Sequence, residues 1–301
     1  MIERPSLHAL AVFLAVVEHG SMTAAAESAG ISQPAISAQV KVLERYYGTT
    51  LLQRTGRGVA PTATGHVIAD HTGRILALVN ELDRLVRDLE GLKSGRLVIG
   101  ASSTVGEQFL PAHLGQFHAE YPHVELEVRI GNTDEITAAV VRRELDFAFV
   151  GRPPQDDELT AEPVFGDEVV AFVAPGDLLL RDAPIDPTTL SRHQYVLRER
   201  GSATRDLALH CLAAVGCEPA HVIELGSNEA VKRAVEAGLG IGLLSTHVIE
   251  AERLAKLLVG LPIMGWQCGR SFWLIRRRDR VLTRAEQAFL SLVPRPSPSP
   301  S

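Results

Sequence analysis

The chain has little that points to redox, membrane or metal chemistry. Its three cysteines, Cys211, Cys217 and Cys268, form no Cys-x-x-Cys pair, so they read as reduced residues of a buried core rather than a metal or thiol–disulfide centre. No apolar run approaches the roughly 18 residues a bilayer span needs. Residues 1–17 offer no small-residue cleavage site before a mature start, so the expectation is a cytoplasmic protein with no membrane partner. Gly-x-x-x-x-Gly-Lys, His-Glu-x-x-His and Gly-x-Ser-x-Gly are all absent, and the eleven histidines have no metal-ligand spacing, so no catalytic residue, metal ligand or cofactor is nominated. Ala237-Gly-Leu-Gly-Ile-Gly-Leu-Leu is glycine-rich but precedes a strand instead of opening a helix after one, which makes it a helix-to-strand turn and not a dinucleotide fingerprint.

A basic excess is also missing. The formal net charge is −6, and residues 1–61 set Arg4, Lys41, Arg45, Arg54 and Arg57 against Glu3, Glu18, Glu27 and Glu44, a balance of only +1. Long-range attraction for nucleic acid is therefore weak, and DNA binding has to be argued from local pattern. What the chain does have is length: 301 residues, 46% hydrophobic and 22% charged, can fill two or three separate cores and do not describe a disordered polymer.

The first pattern is three short helices. Leu7, Leu10, Val12, Phe13, Leu14, Val16 and Val17 recur at helical spacing behind Ser6, a suitable N-cap. Ser21 can cap a second helix at 22–29, whose Ala24, Ala25 and Ala26 let a neighbour approach closely, and Gly30 stops it. Ser32 caps a third helix to about Tyr46, with Pro34 in its first turn. Two helices joined by a Gly-containing turn make a helix-turn-helix, whose second helix presents its N-terminal residues to the major groove. Ser32, Gln33, Ser37 and Gln39 there can bond base edges or phosphates, while Pro34 and Ala35 can meet a thymine methyl. Residues 50–62 read as a hairpin wing, with Gly56 and Gly58 at its turn carrying Arg54 and Arg57 toward phosphate or the minor groove. The plainer alternative is a three-helix packing unit with a solvated loop.

These residues carry a resemblance. Phe13-Leu-Ala-Val-Val-Glu-His-Gly-Ser-Met-Thr-Ala-Ala-Ala, Ile31-Ser-Gln-Pro-Ala-Ile-Ser-Ala-Gln-Val-Lys-Val-Leu-Glu, Leu51-Leu-Gln-Arg and Pro61-Thr-Ala-Thr-Gly resemble the N-terminal domain of LysR-type transcriptional regulators. The resemblance implies that Gln33, Pro34 and Ser37 approach bases, that Thr23, Ser32 and Gln39 hold phosphates, and that Arg54 or Arg57 serves the wing. Many relatives carry a long polar side chain where this chain has Ala38, which implies reduced base reading at that point.

From about residue 64 to 92, Ile68, Ile75, Leu82 and Leu89 form one seven-residue series and His71, Leu78, Leu85 and Leu92 a second. Such an a/d seam fits a two-stranded coiled coil, and a long helix packed on its own domain is the alternative. A dimer through this helix, as the resemblance implies, puts two recognition helices on one duplex and calls for a roughly palindromic operator.

Beyond the Gly-Leu-Lys-Ser-Gly linker at 91–95 the pattern alternates: strand 96–100, helix 107–120, strand 124–130, helix 134–143 and strand 146–150. A second set follows: strands 169–175 and 195–197, helix 204–215, strand 221–225, helix 228–237 and strand 241–244. Segments 160–168 and 263–272 are the expected crossings between two lobes, with strand 271–276 and helix 284–292 returning to the first. Strands interleaved with helices imply parallel sheets whose ligand sits beyond the strands' carboxyl ends. There the loops hold Ser102, Ser103, Thr104, Asn132, Thr133, Gly151, Ser202, Thr204 and Asn228, groups that suit a small anion but could equally be helix caps.

Gly100-Ala-Ser-Ser-Thr-Val-Gly-Glu-Gln-Phe-Leu-Pro, Gly131-Asn-Thr-Asp-Glu-Ile, Glu144-Leu-Asp-Phe-Ala and Arg198-Glu-Arg-Gly-Ser-Ala-Thr-Arg resemble the LysR branch that includes regulators of carbon fixation and sulfur metabolism. That resemblance implies a periplasmic-binding-protein-like effector domain, an anionic metabolite as effector, and Arg205 as a charge partner for it. The expected organisation is α/β: a winged helix-turn-helix at 1–61, a dimerisation helix at 62–92, and an effector domain at 93–293. Lobe I takes about 93–163 and 270–293, lobe II about 164–269, and 294–301 is a disordered tail. Expected partners are double-stranded DNA, the effector, a second copy with assembly to a tetramer, and RNA polymerase. An enzyme carrying an N-terminal DNA-binding module is the alternative of a different class, set aside because no catalytic constellation is present.

Overall fold

A computed structural model describes residues 4–56, 58–88 and 95–294, which fall into two compact units divided near Val86. In the first unit α1 (Leu7–His19), α2 (Met22–Ala29) and α3 (Gln33–Tyr47) each begin at a serine whose Oγ accepts a backbone N–H three residues on: Ser6 from Ala9, Ser21 from Ala24 and Ser32 from Ala35. Each ends on a left-handed glycine, Gly20, Gly30 or Gly48. Phe13, Val16, Ala25, Ile36, Val40, Leu43 and Leu51 close the core between them. The hairpin β1 (Leu52–Thr55) and β2 (Gly58–Pro61) follows. It is pinned to the α1–α2 turn by Val59 N–H donating to the Gly20 carbonyl at 2.9 Å.

The long helix α4 (Ala63–Asp88) starts at Thr62, whose Oγ1 accepts from Gly65 N–H at 3.0 Å while donating to the Thr50 carbonyl at 2.9 Å. Gly65 is required here, because a Cβ would lie 2.1 Å from the Leu51 carbonyl oxygen. Ile68 is half-buried against the N-terminal core. Ile75, Leu78 and Leu82 are exposed, with Val86 one turn further on. The Leu89 and Leu92 positions of the seam, Arg57 of the wing, most of the 91–95 linker and nearly all of the tail lie outside the described residues, as does the Leu85 side chain.

The second unit is built on β3 (Gly95–Ser102), α5 (Leu110–Glu120), β4 (Val124–Gly131), α6 (Thr133–Val141), β5 (Phe147–Val150) and β6 (Leu159–Val173). It continues through α7 (Pro187–Leu190), β7 (Gln194–Arg198), α8 (Ala203–Ala214), β8 (His221–Leu225), α9 (Asn228–Glu236), β9 (Ile241–Ser245) and α10 (Thr246–Leu254), and ends with β10 (Val259–Gly260), β11 (Gly269–Arg277) and α11 (Arg284–Leu292). The sheet order is β4-β3-β5-β11-β6-β9-β7-β8, with β10 on β6. The expected all-parallel sheets need correcting. Within each lobe β4, β3 and β5, or β8, β7 and β9, run parallel, but β6 and β11 pair antiparallel to each other and to their outer neighbours. The chain leaves lobe I on β6 and returns on β11, so the two crossings must run in opposite directions, and they form one ribbon through both lobes.

Each lobe has a core on either side of its sheet. In lobe I, Phe117 of α5 and Phe289 of α11 pack on one face and Ile136 and Val140 of α6 on the other. In lobe II, Ala208 and Leu212 of α8 lie on one face, Val231 of α9 and Ile249 of α10 on the other. Gly238 and Gly240, both at positive φ, make the turn from α9 into β9, in agreement with the reading of that glycine-rich stretch. The reading of three reduced cysteines is corrected: Cys211 and Cys268 are joined by a disulfide with their Cα atoms 5.8 Å apart, and only Cys217 is free and buried. Fifty-seven residues separate the pair in sequence, so spacing gave no cue, and it is the return of the chain into β11 that lays Cys268 against α8. Among the described residues no helix is long and apolar enough to cross a membrane.

Candidate functional site

Two regions are built for recognition, one in each unit. On α3, Ile36, Val40 and Leu43 face inward and are buried. The opposite face is left to exposed Gln33 and Pro34 and half-buried Ser37 and Gln39. Ser32 is exposed but occupied as the helix cap, Thr23 of α2 is exposed, and Arg54 projects from β1. A helix with three apolar side chains anchored in a core and a polar N-terminal face in solvent has the form that enters a major groove.

In the second unit a narrow cavity lies between the lobes. Its lining brings together Ser102, Ser103 and Thr104 from the end of β3, Asn132 and Thr133 from the start of α6, Gly151 after β5, and Ser202, Ala203 and Thr204 from the start of α8; Arg198, Arg270 and Phe272 complete it. The local sequence explains the convergence. Strand β3 runs into the helical turn that leads to Val105–Phe109, β4 into α6 at Thr133 and, after a short loop, β7 into α8 at Ala203, so three strand-to-helix junctions meet at the lining. Gly151 keeps the lobes close, since a Cβ there would stand 2.6 Å from the Ala203 Cβ.

Caps and free groups separate clearly. Asn132 is a cap, with its Oδ1 accepting from Glu135 N–H while Glu135 Oε2 accepts from Asn132 N–H, both at 3.0 Å. Ser202 holds the N-cap position of α8 but its side chain makes no capping bond, and it is buried. Ser102 Oγ is buried with no hydrogen-bond partner. A buried hydroxyl without a partner costs about 1–3 kcal/mol, a cost that a bound acceptor or donor removes.

Two arginines dominate the electrostatics. Arg198, at the end of β7, donates from Nε and Nη2 to the Glu199 carboxylate at 2.7 and 2.9 Å, from Nη1 to Asn228 Oδ1 at 2.6 Å, and from Nη2 across the cleft to Ser103 Oγ at 3.2 Å. Asn228 Nδ2 in turn donates to Glu107 Oε2 of lobe I at 2.8 Å. Arg270, on β11, donates from Nε to Asp167 Oδ2 at 2.8 Å and from Nη1 to Thr204 Oγ1 at 3.0 Å, with its guanidinium 4.4 Å above the Phe272 ring. Nη2 sits 2.7 Å from the same Asp167 oxygen, completing the ion pair. Burial pulls the Arg270 pKa below its ordinary value, Asp167 opposes the shift, and the nearby positive charge of Arg198 adds to it. The two guanidiniums thus feel each other's charge across a small polar cavity, each beside its own carboxylate.

Of the residues expected from sequence, Ser102, Ser103, Thr104, Asn132, Gly151, Ser202 and Thr204 lie together in this lining, and Arg205 does not. Arg205 turns away, donating to the Arg198 carbonyl at 2.9 Å and pairing with Glu224 at 3.0 Å. Seven residues along from Arg198 on a strand-to-helix path, it faces the outer end of β8 instead of the cleft. The sequence reading missed Arg198 and Arg270, and it left Thr133 and Asn228 open between cap and ligand contact. Arg198 had a cue, since it is the last residue of a buried strand at the carboxyl edge; Arg270 had only the oddity of a cation among the apolar residues of a crossing segment. Among the described residues no group of three or more His, Cys, Asp or Glu side chains could hold a metal ion.

Comparison with known proteins matches both units to one family. Residues 7–66 match the family described as bacterial regulatory helix-turn-helix protein, lysR family, and residues 90–295 match the LysR substrate binding domain. The HTH-type transcriptional regulator CbbR of Sinorhizobium medicae is 37% identical over 96% of this chain and 92% of its own. The RuBisCO operon transcriptional regulator of Allochromatium vinosum is 32% identical over 96% and 95%. Among solved structures, the CcmR regulatory domain of Synechocystis PCC6803 in complex with 2-PG matches with a TM-score of 0.61 and 29% identity, covering 66% of this chain and 95% of that one. Full-length CbnR matches in fold with a TM-score of 0.70 and 21% identity over 95% and 97%. The chain belongs to the LysR-type transcriptional regulators, DNA-binding proteins with an effector-binding domain and not enzymes.

Proposed function

We propose that this regulator is controlled by a small anionic metabolite held between the lobes by Arg198, Arg270, Ser102 and Thr204. The observation that carries this reading is the pairing of two buried guanidiniums with an unpartnered buried hydroxyl at the N-terminal ends of the surrounding helices. Because Arg198 and Arg270 are each already neutralised by a carboxylate, hydrogen bonds from Ser102, Thr104 and helix N–H groups must supply much of the recognition. The relative CcmR was solved with 2-PG, a molecule of this chemical class, which makes 2-phosphoglycolate the first ligand to try. Calorimetric titration of the full chain with 2-phosphoglycolate should give one saturable site, weakened about tenfold or more by Ser102→Ala or Thr204→Val. Unaltered binding in both variants would move the site elsewhere.

On the DNA side, Gln33, Pro34 and Ser37 read bases, Thr23, Ser32 and Gln39 hold phosphates, and Arg54 with Arg57 serves the wing. Two copies associate through the α4 face that carries Ile75, Leu78 and Leu82, apolar side chains exposed in the single chain, and dimers pair into a tetramer. Burying a leucine contributes roughly 1.5–3 kcal/mol, so the six side chains from two copies can outweigh an association cost of about 4–15 kcal/mol. The regulator works in the cytoplasm beside the chromosome, contacts RNA polymerase there, and divides into a DNA-binding domain at 1–61, a linker helix at 62–92 and an effector domain at 93–293.

A further inference from the structure

We propose that the Cys211–Cys268 disulfide is a reversible, redox-controlled link that sets how firmly α8 is held on β11, and through that contact the positions of Thr204 and Arg270 in the cavity. The effect on ligand binding rests on the reading of the cavity as the effector site; the link itself does not.

The case begins with position. Cys211 lies near the end of α8 and Cys268 directly precedes β11. One turn back along α8, the Leu207 carbonyl meets Cys268 Sγ at 3.9 Å, and one turn further Thr204 Oγ1 accepts from Arg270 at 3.0 Å. Residues 204, 207 and 211 are spaced three and four apart and share one helix face. The incoming strand therefore runs along that face, fastened at one end by the sulfur bridge and at the cavity end by the Arg270–Thr204 hydrogen bond. The Cys268 carbonyl also accepts from Val169 N–H at 2.9 Å, two residues from the Asp167 that holds Arg270, so the bridge bears on the ribbon joining the lobes.

Compartment and packing point the same way. A chromosome-binding regulator works where thiols are kept reduced, and disulfides there are mostly transient and regulatory. Both cysteines are buried in the lobe II core, where reduced thiols pack as small apolar groups, so either state can keep the fold. Cys217 lies in the same core but is not joined to either of them, and its Sγ is 3.3 Å from Tyr195 Oη. The reaction partner is a low-molecular-weight disulfide such as oxidised glutathione. As α8 opens, the Cys211 thiolate attacks one sulfur of that disulfide, forming a mixed disulfide and releasing one glutathione thiolate. The Cys268 thiolate then attacks the Cys211 sulfur and expels the second. Two cysteine S–H bonds are lost, one S–S bond is gained, and the oxidant's S–S bond becomes two thiols that carry the protons; excess reduced glutathione runs the exchange backward.

The test equilibrates the full chain in glutathione buffers of varied reduced-to-oxidised ratio, traps thiols by alkylation, and measures the 211–268 linked peptide, amide exchange of residues 203–214 and 2-phosphoglycolate affinity. The link should form and break reversibly with the ratio. Exchange in α8 should slow by about tenfold when it forms, and affinity should change about three- to tenfold between the states. Cys268→Ala should abolish the redox response and Cys217→Ala should keep it. A pair that stays dithiol, or stays bonded, at every ratio overturns the proposal, as does identical α8 exchange in the two states. Because linkage and exchange are read without ligand, a chain that responds in both yet binds no 2-phosphoglycolate in either state upholds the link and counts against the effector reading.

Discussion

Ser102 is the residue at which the proposed binding role of the cavity separates from a purely structural one. Its hydroxyl sits buried without a partner, so Ser102→Ala removes nothing the free protein uses. Thermal unfolding should show stability unchanged or raised by up to about 1–3 kcal/mol, while anion binding weakens. A purely structural residue would show the reverse. Asp167→Asn makes the opposite prediction, because it strips the charge partner from a guanidinium whose side chain is only 6% exposed. Denaturant titration should register a loss of about 3–5 kcal/mol. On α3, Gln33→Ala should cost about 1–3 kcal/mol of specific binding and relax preference at one base pair, whereas Arg54→Ala should weaken all sequences alike; binding to an operator and its single-base variants separates the two. Small hydroxyl and amide residues at strand ends were legible in the sequence because loop position alone nominates them. Arg198 and Arg270 were not, since their role depends on two lobes meeting, and the choice of Arg205 failed because spacing cannot tell which side of α8 a guanidinium takes.

Elements were easier to read than their pairing. Three serine caps and three left-handed glycines set the first helices almost to the residue, because capping is local chemistry. The direction of β6 and β11 is not local; it follows from where the chain must return, which no periodicity records. The sulfur bridge was invisible for the same reason. On α4 the seven-residue pattern spans two environments: Ile68 is half-buried against the N-terminal core, whereas Ile75, Leu78 and Leu82 are exposed, as is Val67. That division has a consequence for assembly. Leu78→Glu and Leu82→Glu should each shift the full chain toward monomer in analytical ultracentrifugation with its folding intact, whereas Ile68→Glu should unfold the N-terminal unit.

At the scale of the whole molecule the near-neutral DNA-binding module matters most. With +1 over residues 1–61 and Ala38 on the reading face, one module has few contacts to bring to a duplex. Affinity must come from linking modules, which can multiply it about 10²- to 10⁴-fold without any new contact. A fragment ending near Pro61 should therefore bind operator weakly at a salt concentration where the full chain binds tightly. In the proposed assembly a ligand shifts the equilibrium only by its differential affinity for the two arrangements, about 1–3 kcal/mol. The most direct test is a footprint of the full chain on the DNA between its gene and the adjacent one, with and without 2-phosphoglycolate, for the natural sequence and for a Ser102→Ala, Thr204→Val double variant. The account predicts a protected region whose length or hypersensitive sites change with the anion in the natural protein, and the same protected region without that change in the variant. A variant that responds to the anion like the natural protein would contradict it.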